Sequence, residues 1–198
     1  MKIPFYFDYA CPWAYLGSCR VEAYFQPLGV EIDFHPVNLA ALKEPTAGKG
    51  APPGDRKKRY FAADIKDWAE LVGAEFSSQA RSMKRPDTRL LLRAAMIAKE
   101  SGRFREFHYP AYRARWAEAR DVGDPEVVRG LFEGAGLDAA TALEEAQSNA
   151  QRERLAAETK AAIDRGVFGV PTLFVGDRMF WGNDRFELAR HFIEKSAA

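Results

Sequence analysis

Strand-forming patterns stand only at the two ends of this chain, and that placement limits its possible folds more than any other feature. Residues 3–8 (Ile-Pro-Phe-Tyr-Phe-Asp) are aromatic and apolar enough for a short strand, with Pro4 near the start, where a missing N–H costs least. After Tyr9-Ala10-Cys11-Pro12, the apolar residues Trp13, Leu16, Val21, Tyr24 and Phe25 recur mostly at helical intervals. Pro12 suits the first helical position, which puts Cys11 at the N-cap. Pro27 and Gly29 close that helix, and Val30–Phe34 alternates apolar and polar as a half-buried strand. The opening is β-α-β.

At the other end, Pro171–Val175 and Arg178–Trp181 are short apolar runs separated by Gly176-Asp177, a hairpin signal. Gly182-Asn183-Asp184-Arg185 then precedes a last helix carrying Phe186, Leu188, Phe192 and Ile193. The middle reads as helical over 57–71, 87–100, 104–119, 124–133 and, in one alanine- and glutamate-rich stretch, 139–165. Asn38–Asp55, rich in Ala, Gly, Lys and Pro, reads as a long loop of the kind that often serves as a functional lid. The order predicts an α/β chain: one sheet formed by residues 1–38 and 162–198, interrupted by a loop and all-helical insertion over 39–161.

Composition narrows the function classes. With 47% hydrophobic residues in 198, the chain can bury a real core, which excludes disorder. Lys+Arg 29 against Asp+Glu 28 gives no general attraction to nucleic acid or anionic membrane. No window approaches the about 18 uninterrupted apolar residues of a membrane span. The charged opening Met1–Asp8 lacks a secretory hydrophobic region, so a cytoplasmic location is expected. Two cysteines and three scattered histidines form no CxxC or HExxH spacing, and no metal site is expected.

Cys11 is the sharpest chemical feature. A sulfur at a helix N-cap faces free N–H groups and the positive end of the dipole, which favour thiolate. Cys19 lies eight residues on, roughly 12 Å along a helix, beyond the about 7 Å span of a disulfide; it reads as a helix-face core residue. In Gly169-Val170-Pro171-Thr172, a proline opens a strand, and a cis Val170–Pro171 bond would turn the Val170 backbone outward as a peptide-binding edge. Asn183 or Asp184 either caps the last helix or, with the helix-start N–H groups, holds a carboxylate and an ammonium. Arg56-Lys57-Lys58-Arg59 is either a solvated face or a source of one lysine for a ligand carboxylate. Read together, these features fit a small zwitterionic thiol.

Phe5-Tyr6-Phe7-Asp8 with Tyr15-Leu16-Gly17, and Gly166–Thr172 through Phe180-Trp181-Gly182-Asn183-Asp184-Arg185, strongly resemble the 2-hydroxychromene-2-carboxylate isomerase family. That family is related to kappa-class glutathione transferases and to the disulfide oxidoreductase DsbA. Tyr60, Asp64 and Trp68, then Arg120-Asp121 and Asp124-Pro125-Glu126, agree as well. The resemblance implies a thioredoxin-like fold with a helical insertion, a cis Pro171, glutathione as cofactor and a homodimer. Val170 would pair its backbone with the cysteinyl part of glutathione beside Pro171. Asn183 and Asp184, supported by Arg185, would hold the γ-glutamyl end. Lys57, or Lys58 in a shifted alignment, would meet the glycyl carboxylate.

Two positions depart from the family. Cys11 stands where the family usually has serine, and Gly50 stands where an asparagine precedes the double proline, before Ala51-Pro52-Pro53. Cys11-Pro12-Trp13-Ala14 is also a DsbA-like CPxC motif whose second cysteine is alanine, a site that can form a mixed disulfide but cannot resolve it internally. Three functions therefore compete. One is a glutathione-dependent isomerase of conjugated aryl α-keto acids. Another is a monothiol oxidoreductase or glutathione transferase with Cys11 as nucleophile. The third is a peptide-binding module built on the Pro171 edge. Trp13, Tyr15, Tyr60 and Trp116 are either core or the wall of a hydrophobic pocket.

Overall fold

The computed structural model of this chain describes residues 1–42 and 54–197. Most of the expected long loop, including Gly50-Ala51-Pro52-Pro53, lies outside the described residues. Among them is a sheet of order β2-β1-β3-β4, formed by β1 (Lys2–Phe7), β2 (Glu31–Pro36), β3 (Thr172–Val175) and β4 (Arg178–Trp181). β1 runs parallel to β2 and antiparallel to β3, and β3 turns antiparallel into β4 through Gly176 in a left-handed conformation (φ 60°). The parallel pair requires a crossover, supplied by α1 (Pro12–Phe25), while the hairpin needs only its tight turn. The two ends of the chain thus meet in one sheet, as expected of a thioredoxin-like fold.

β1 is central because it is apolar on both faces. Ile3, Phe5 and Phe7 are buried on one side, where Phe5 meets Phe34 at 5.5 Å and Phe7 meets His108 at 4.6 Å. Tyr6 is buried on the other, against His35 and Phe174. β2 alternates, with Ile32 and Phe34 inward. Pro4 lies outside the antiparallel pairing, which β3 makes only with Phe5 and Tyr6. No helix among the described residues is long and apolar enough to cross a membrane.

Between β2 and β3 come α2 (Asp55–Val72), α3 (Ser78–Ser82), α4 (Arg89–Glu100), α5 (Phe104–Trp116), α6 (Pro125–Gly134), α7 (Ala139–Gln147) and α8 (Asn149–Asp164); α9 (Phe186–Ala197) closes the fold. Most of this helical block shares a continuous core with the sheet: Leu91, Leu92, Phe107, Tyr112 and Phe132 belong to the same buried cluster as Phe5, Phe7 and Tyr9.

The single helix expected over 139–165 is two. Ser148 is extended (φ −62°, ψ 157°), and its hydroxyl accepts the Gln151 N–H at 3.2 Å, so it ends α7 and caps α8. Ser148-Asn149-Ala150-Gln151 has the capping-box spacing, and the local side-chain bond defeats continuous helix propensity. The short α3, capped by Ser77 through the Gln79 N–H, falls where no element was expected.

Asp8, at the end of β1, ties three segments together. Its buried carboxylate accepts the N–H groups of Ala10 and Leu39, each at 2.8 Å, and the Thr88 hydroxyl at 2.7 Å. These bonds join the turn before α1, the exit of β2 and the start of α4. Asp8→Ala leaves the buried Thr88 hydroxyl and two part-buried N–H groups without an acceptor, and we expect a loss of about 3 kcal/mol, or a melting temperature lower by about 6–12 °C. Thermal unfolding followed by circular dichroism checks this; an unchanged midpoint would contradict it.

Candidate active site

Cys11 occupies the N-cap of α1 in an extended conformation (φ −104°, ψ 117°), with Pro12 at the first helical position. The Asp8 carbonyl accepts the Cys11 N–H at 3.1 Å and so sets the turn. Facing Cys11 is the loop before β3, where the Val170–Pro171 bond is cis. The Cys11 thiol donates to the Val170 carbonyl at 3.2 Å and joins the two ends of the chain at this point. α1 approaches closely because Gly17 has no side chain: a Cβ there would lie 3.3 Å from Pro171 and 3.5 Å from Asn183.

The expected lowering of the Cys11 pKa does not occur. Burial pushes the thiol up to about 11, outweighing the N–H groups of Ala14 and Trp13 that favour thiolate. The Asp8 carboxylate pushes the same way as burial, and the Arg85 charge opposes it. The helix terminus acts as expected, but a sulfur with 7% of its residue exposed has lost too much water for it to prevail. Cys11 is therefore a neutral hydrogen-bond donor near pH 7. Cys19, lower on the same helix, is likewise a free thiol raised by burial to about 11.

A cleft of about 450 Å³ opens beside this junction. One wall is Val170, Pro171 and Gly182 through Arg185; the other is Trp13 with Tyr60, Asp64 and Trp68, which recur every fourth residue along one face of α2. α2 is held in place by Ile65 and Ala69, buried against Leu16 of α1. Trp181, half-exposed at the end of β4, stands over the cleft and packs against Phe168 at 4.9 Å. Gly182 has φ 113°, and a Cβ there would strike the Asp184 carboxylate, so the turn requires glycine.

Five of the residues expected at a site thus meet in one cleft: Val170, Pro171, Asn183, Asp184 and Arg185. Asn183 and Asp184 make no side-chain capping bond among the described residues. Asn183 is buried and its Nδ2 has no partner among the described residues, while Asp184 pairs loosely with Arg185 at 3.7 Å. Cys11 lies just behind the wall, in contact through Val170. Lys57 is not drawn in: it is exposed one turn before Tyr60, its ammonium 5.6 Å from the Phe61 ring, and Lys58 pairs with Asp55. Tyr15 and Trp116 are core, donating to the Glu75 and Tyr9 carbonyls. The lining roles of Asp64, Trp68 and Trp181 were not foreseen. The four-residue spacing of Tyr60, Asp64 and Trp68 is the signal that could have revealed the first two.

A cysteine-proline helix start facing a cis proline loop defines a class, and the comparisons agree: residues 2–194 match the DSBA-like thioredoxin domain. The chain is 32% identical over 194 residues to the 2-hydroxychromene-2-carboxylate isomerase of Pseudomonas sp. (strain C18), covering 96% of this chain and 89% of that one. It is 30% identical to the enzyme of the same name from Pseudomonas putida, over 93% of this chain and 90% of the relative. A solved 2-hydroxychromene-2-carboxylate isomerase superposes with a TM-score of 0.82 at 29% identity, covering 100% of this chain and 96% of that one. The chain belongs to the DsbA-like thioredoxin proteins and, within them, to the 2-hydroxychromene-2-carboxylate isomerase family; it is an isomerase.

The raised thiol pKa makes a direct prediction. Relative to the ordinary value of 9.0, a pKa of about 11 lowers the thiolate fraction of Cys11 near pH 7 by about 100-fold. Iodoacetamide alkylation, mapped to the Cys11 peptide by mass spectrometry, should be slow at neutral pH and rise with a midpoint near 11. A midpoint below 8 would show that the helix terminus outweighs burial.

Proposed function

We propose that this isomerase is glutathione-dependent and acts on conjugated aryl α-keto acids. The observation that carries the reading is Asn183: a buried amide lining the cleft, with a donor that no group among the described residues satisfies. An unpaired buried amide is unfavourable, and an acceptor brought by a ligand removes the penalty. The Val170 N–H also makes no bond among the described residues, while its carbonyl is taken by Cys11. A backbone donor beside Pro171 and a side-chain donor at Asn183 suit the cysteinyl backbone and the γ-glutamyl carboxylate of glutathione. Asp184 suits its ammonium, with Arg185 steadying Asp184, and Lys57 is long enough and exposed enough to turn toward the glycyl carboxylate.

Bound glutathione supplies a thiolate whose reversible addition to the conjugated system frees rotation about the former double bond. Cys11 takes the role of the family serine. Neutral near pH 7, its S–H donates to a sulfur bound in front of it as it donates to Val170 in the free protein, and the first N–H groups of α1 add to that stabilisation. Trp13, Tyr60, Trp68 and Trp181 give the cleft the flat apolar surfaces that an aryl group needs and exclude water from the reacting atoms. The same raised pKa disfavours the oxidoreductase reading, which needs Cys11 as a thiolate nucleophile.

Asn183→Ala should weaken glutathione binding by about tenfold, measured by titration calorimetry. Unaltered binding would remove the observation on which the reading rests. Cys11→Ser should keep isomerase activity within about threefold, because the hydroxyl donates the same bond. Intact-mass spectrometry after incubation with oxidised glutathione near pH 7 should show no Cys11 adduct. A stable adduct there, with activity lost in Cys11→Ser, would establish the oxidoreductase instead.

A further inference from the structure

A larger cavity, about 650 Å³, lies between the first half of α4 and α8 and shares no lining residue with the cleft beside Cys11. Its charged lining is Arg89 and Arg93 from α4, Arg152 and Lys160 from α8, and Asp87: four cations to one carboxylate. Two of the cations are already matched. The Arg89 guanidinium forks onto both oxygens of Asp87, and Lys160 pairs with Asp164. Arg93 and Arg152 form no ion pair among the described residues; Arg152 reaches only the Asn149 amide oxygen, at 3.4 Å.

Arg93 is the telling residue. It is nine-tenths buried, its Nε donates to the Ala146 carbonyl, and its guanidinium lines the cavity. A buried guanidinium is tolerated where something offsets the water and counter-charge it has lost. Arg115, the other buried arginine among the described residues, has the Trp116 ring 4.5 Å from its guanidinium carbon. Among the described residues no ring stacks on Arg93, and the positive charges of Arg152 and Arg89 add repulsion to its burial, opposed by the Asp87 carboxylate. Asp87, the one carboxylate in the lining, is engaged by Arg89, so among the described residues the cavity carries more positive than negative charge.

We propose that this cavity is a binding site for a small organic oxyanion of charge −2 or greater, held by the forks of Arg93 and Arg152. Guanidinium groups match phosphate and carboxylate oxygens bidentately, so the shared chemistry is a multiply charged oxyanion. Leu90, Leu155 and the exposed Ile163 add an apolar wall against which its organic part packs. The site stands apart from the glutathione reading and does not depend on it.

Titration calorimetry of the whole chain with inorganic pyrophosphate and, separately, with citrate tests it and distinguishes a phosphate from a carboxylate source. We expect saturable one-to-one binding of at least one of them with a Kd below about 1 mM. Arg152→Glu, a change at an exposed position, should weaken that binding at least about tenfold while leaving glutathione affinity unaltered. Arg93→Lys, which keeps the charge and removes the fork, should weaken it by a smaller factor. Absence of saturable binding by both anions would overturn the proposal, as would wild-type affinity in Arg152→Glu.

Discussion

The carboxylate of Asp8 is the constraint on which the rest of this architecture rests. Its three accepted bonds fix the turn that presents Cys11, the exit of β2 and the entry to α4 relative to one another. Burial pushes its pKa up, so the fold gives up some stability to keep a charged acceptor there at neutral pH. In exchange, three segments far apart in sequence share one anchor directly behind the site. The Asp8 carbonyl adds a further bond to the same turn, accepting the Cys11 N–H. The turn that presents the sulfur is thus set by its own neighbours in sequence, and Leu39 and Thr88 anchor that turn to distant segments.

At Cys11 two electrostatic effects of opposite sign meet, and burial is the larger. A helix N-terminus favours thiolate, yet its influence is confined to the first turn, while loss of water acts on the whole ion. The outcome assigns the residue's chemistry. A neutral thiol in front of a cis proline is a hydrogen-bond donor, and its partner here is the Val170 carbonyl. The same scaffold with an exposed, low-pKa cysteine is suited to disulfide exchange.

Much of the fold could be read directly because its signals are local. Pro12 after Cys11 marks a helix start, Gly176-Asp177 marks the hairpin, and the aromatic run Phe5-Tyr6-Phe7 marks a short strand. The reading failed where a single polar side chain redirects the backbone. Ser148 breaks an otherwise continuous helical pattern through one bond to the Gln151 N–H. At the site, the C-terminal residues Val170, Pro171 and Asn183–Arg185 lie within one short stretch, and their proximity was already visible. Trp68 and Asp64 were seen only as matching positions, because their role depends on which face of α2 turns toward Pro171. That orientation is set by Ile65 and Ala69 against Leu16.

The amino-acid order by itself determined the class of fold, the position of Cys11 at a helix start and the stretch that forms the far wall of the cleft. Each of these depends on interactions between near neighbours: a proline's fixed φ, a turn's need for glycine, the period of apolar residues. Tertiary structure alone decided the protonation of Cys11, the Asn183 amide donor left without a partner among the described residues, and the burial of the Arg93 guanidinium. These properties are sums over surroundings drawn from distant parts of the chain. Desolvation and unmet hydrogen bonds exist only once those parts have closed around the group.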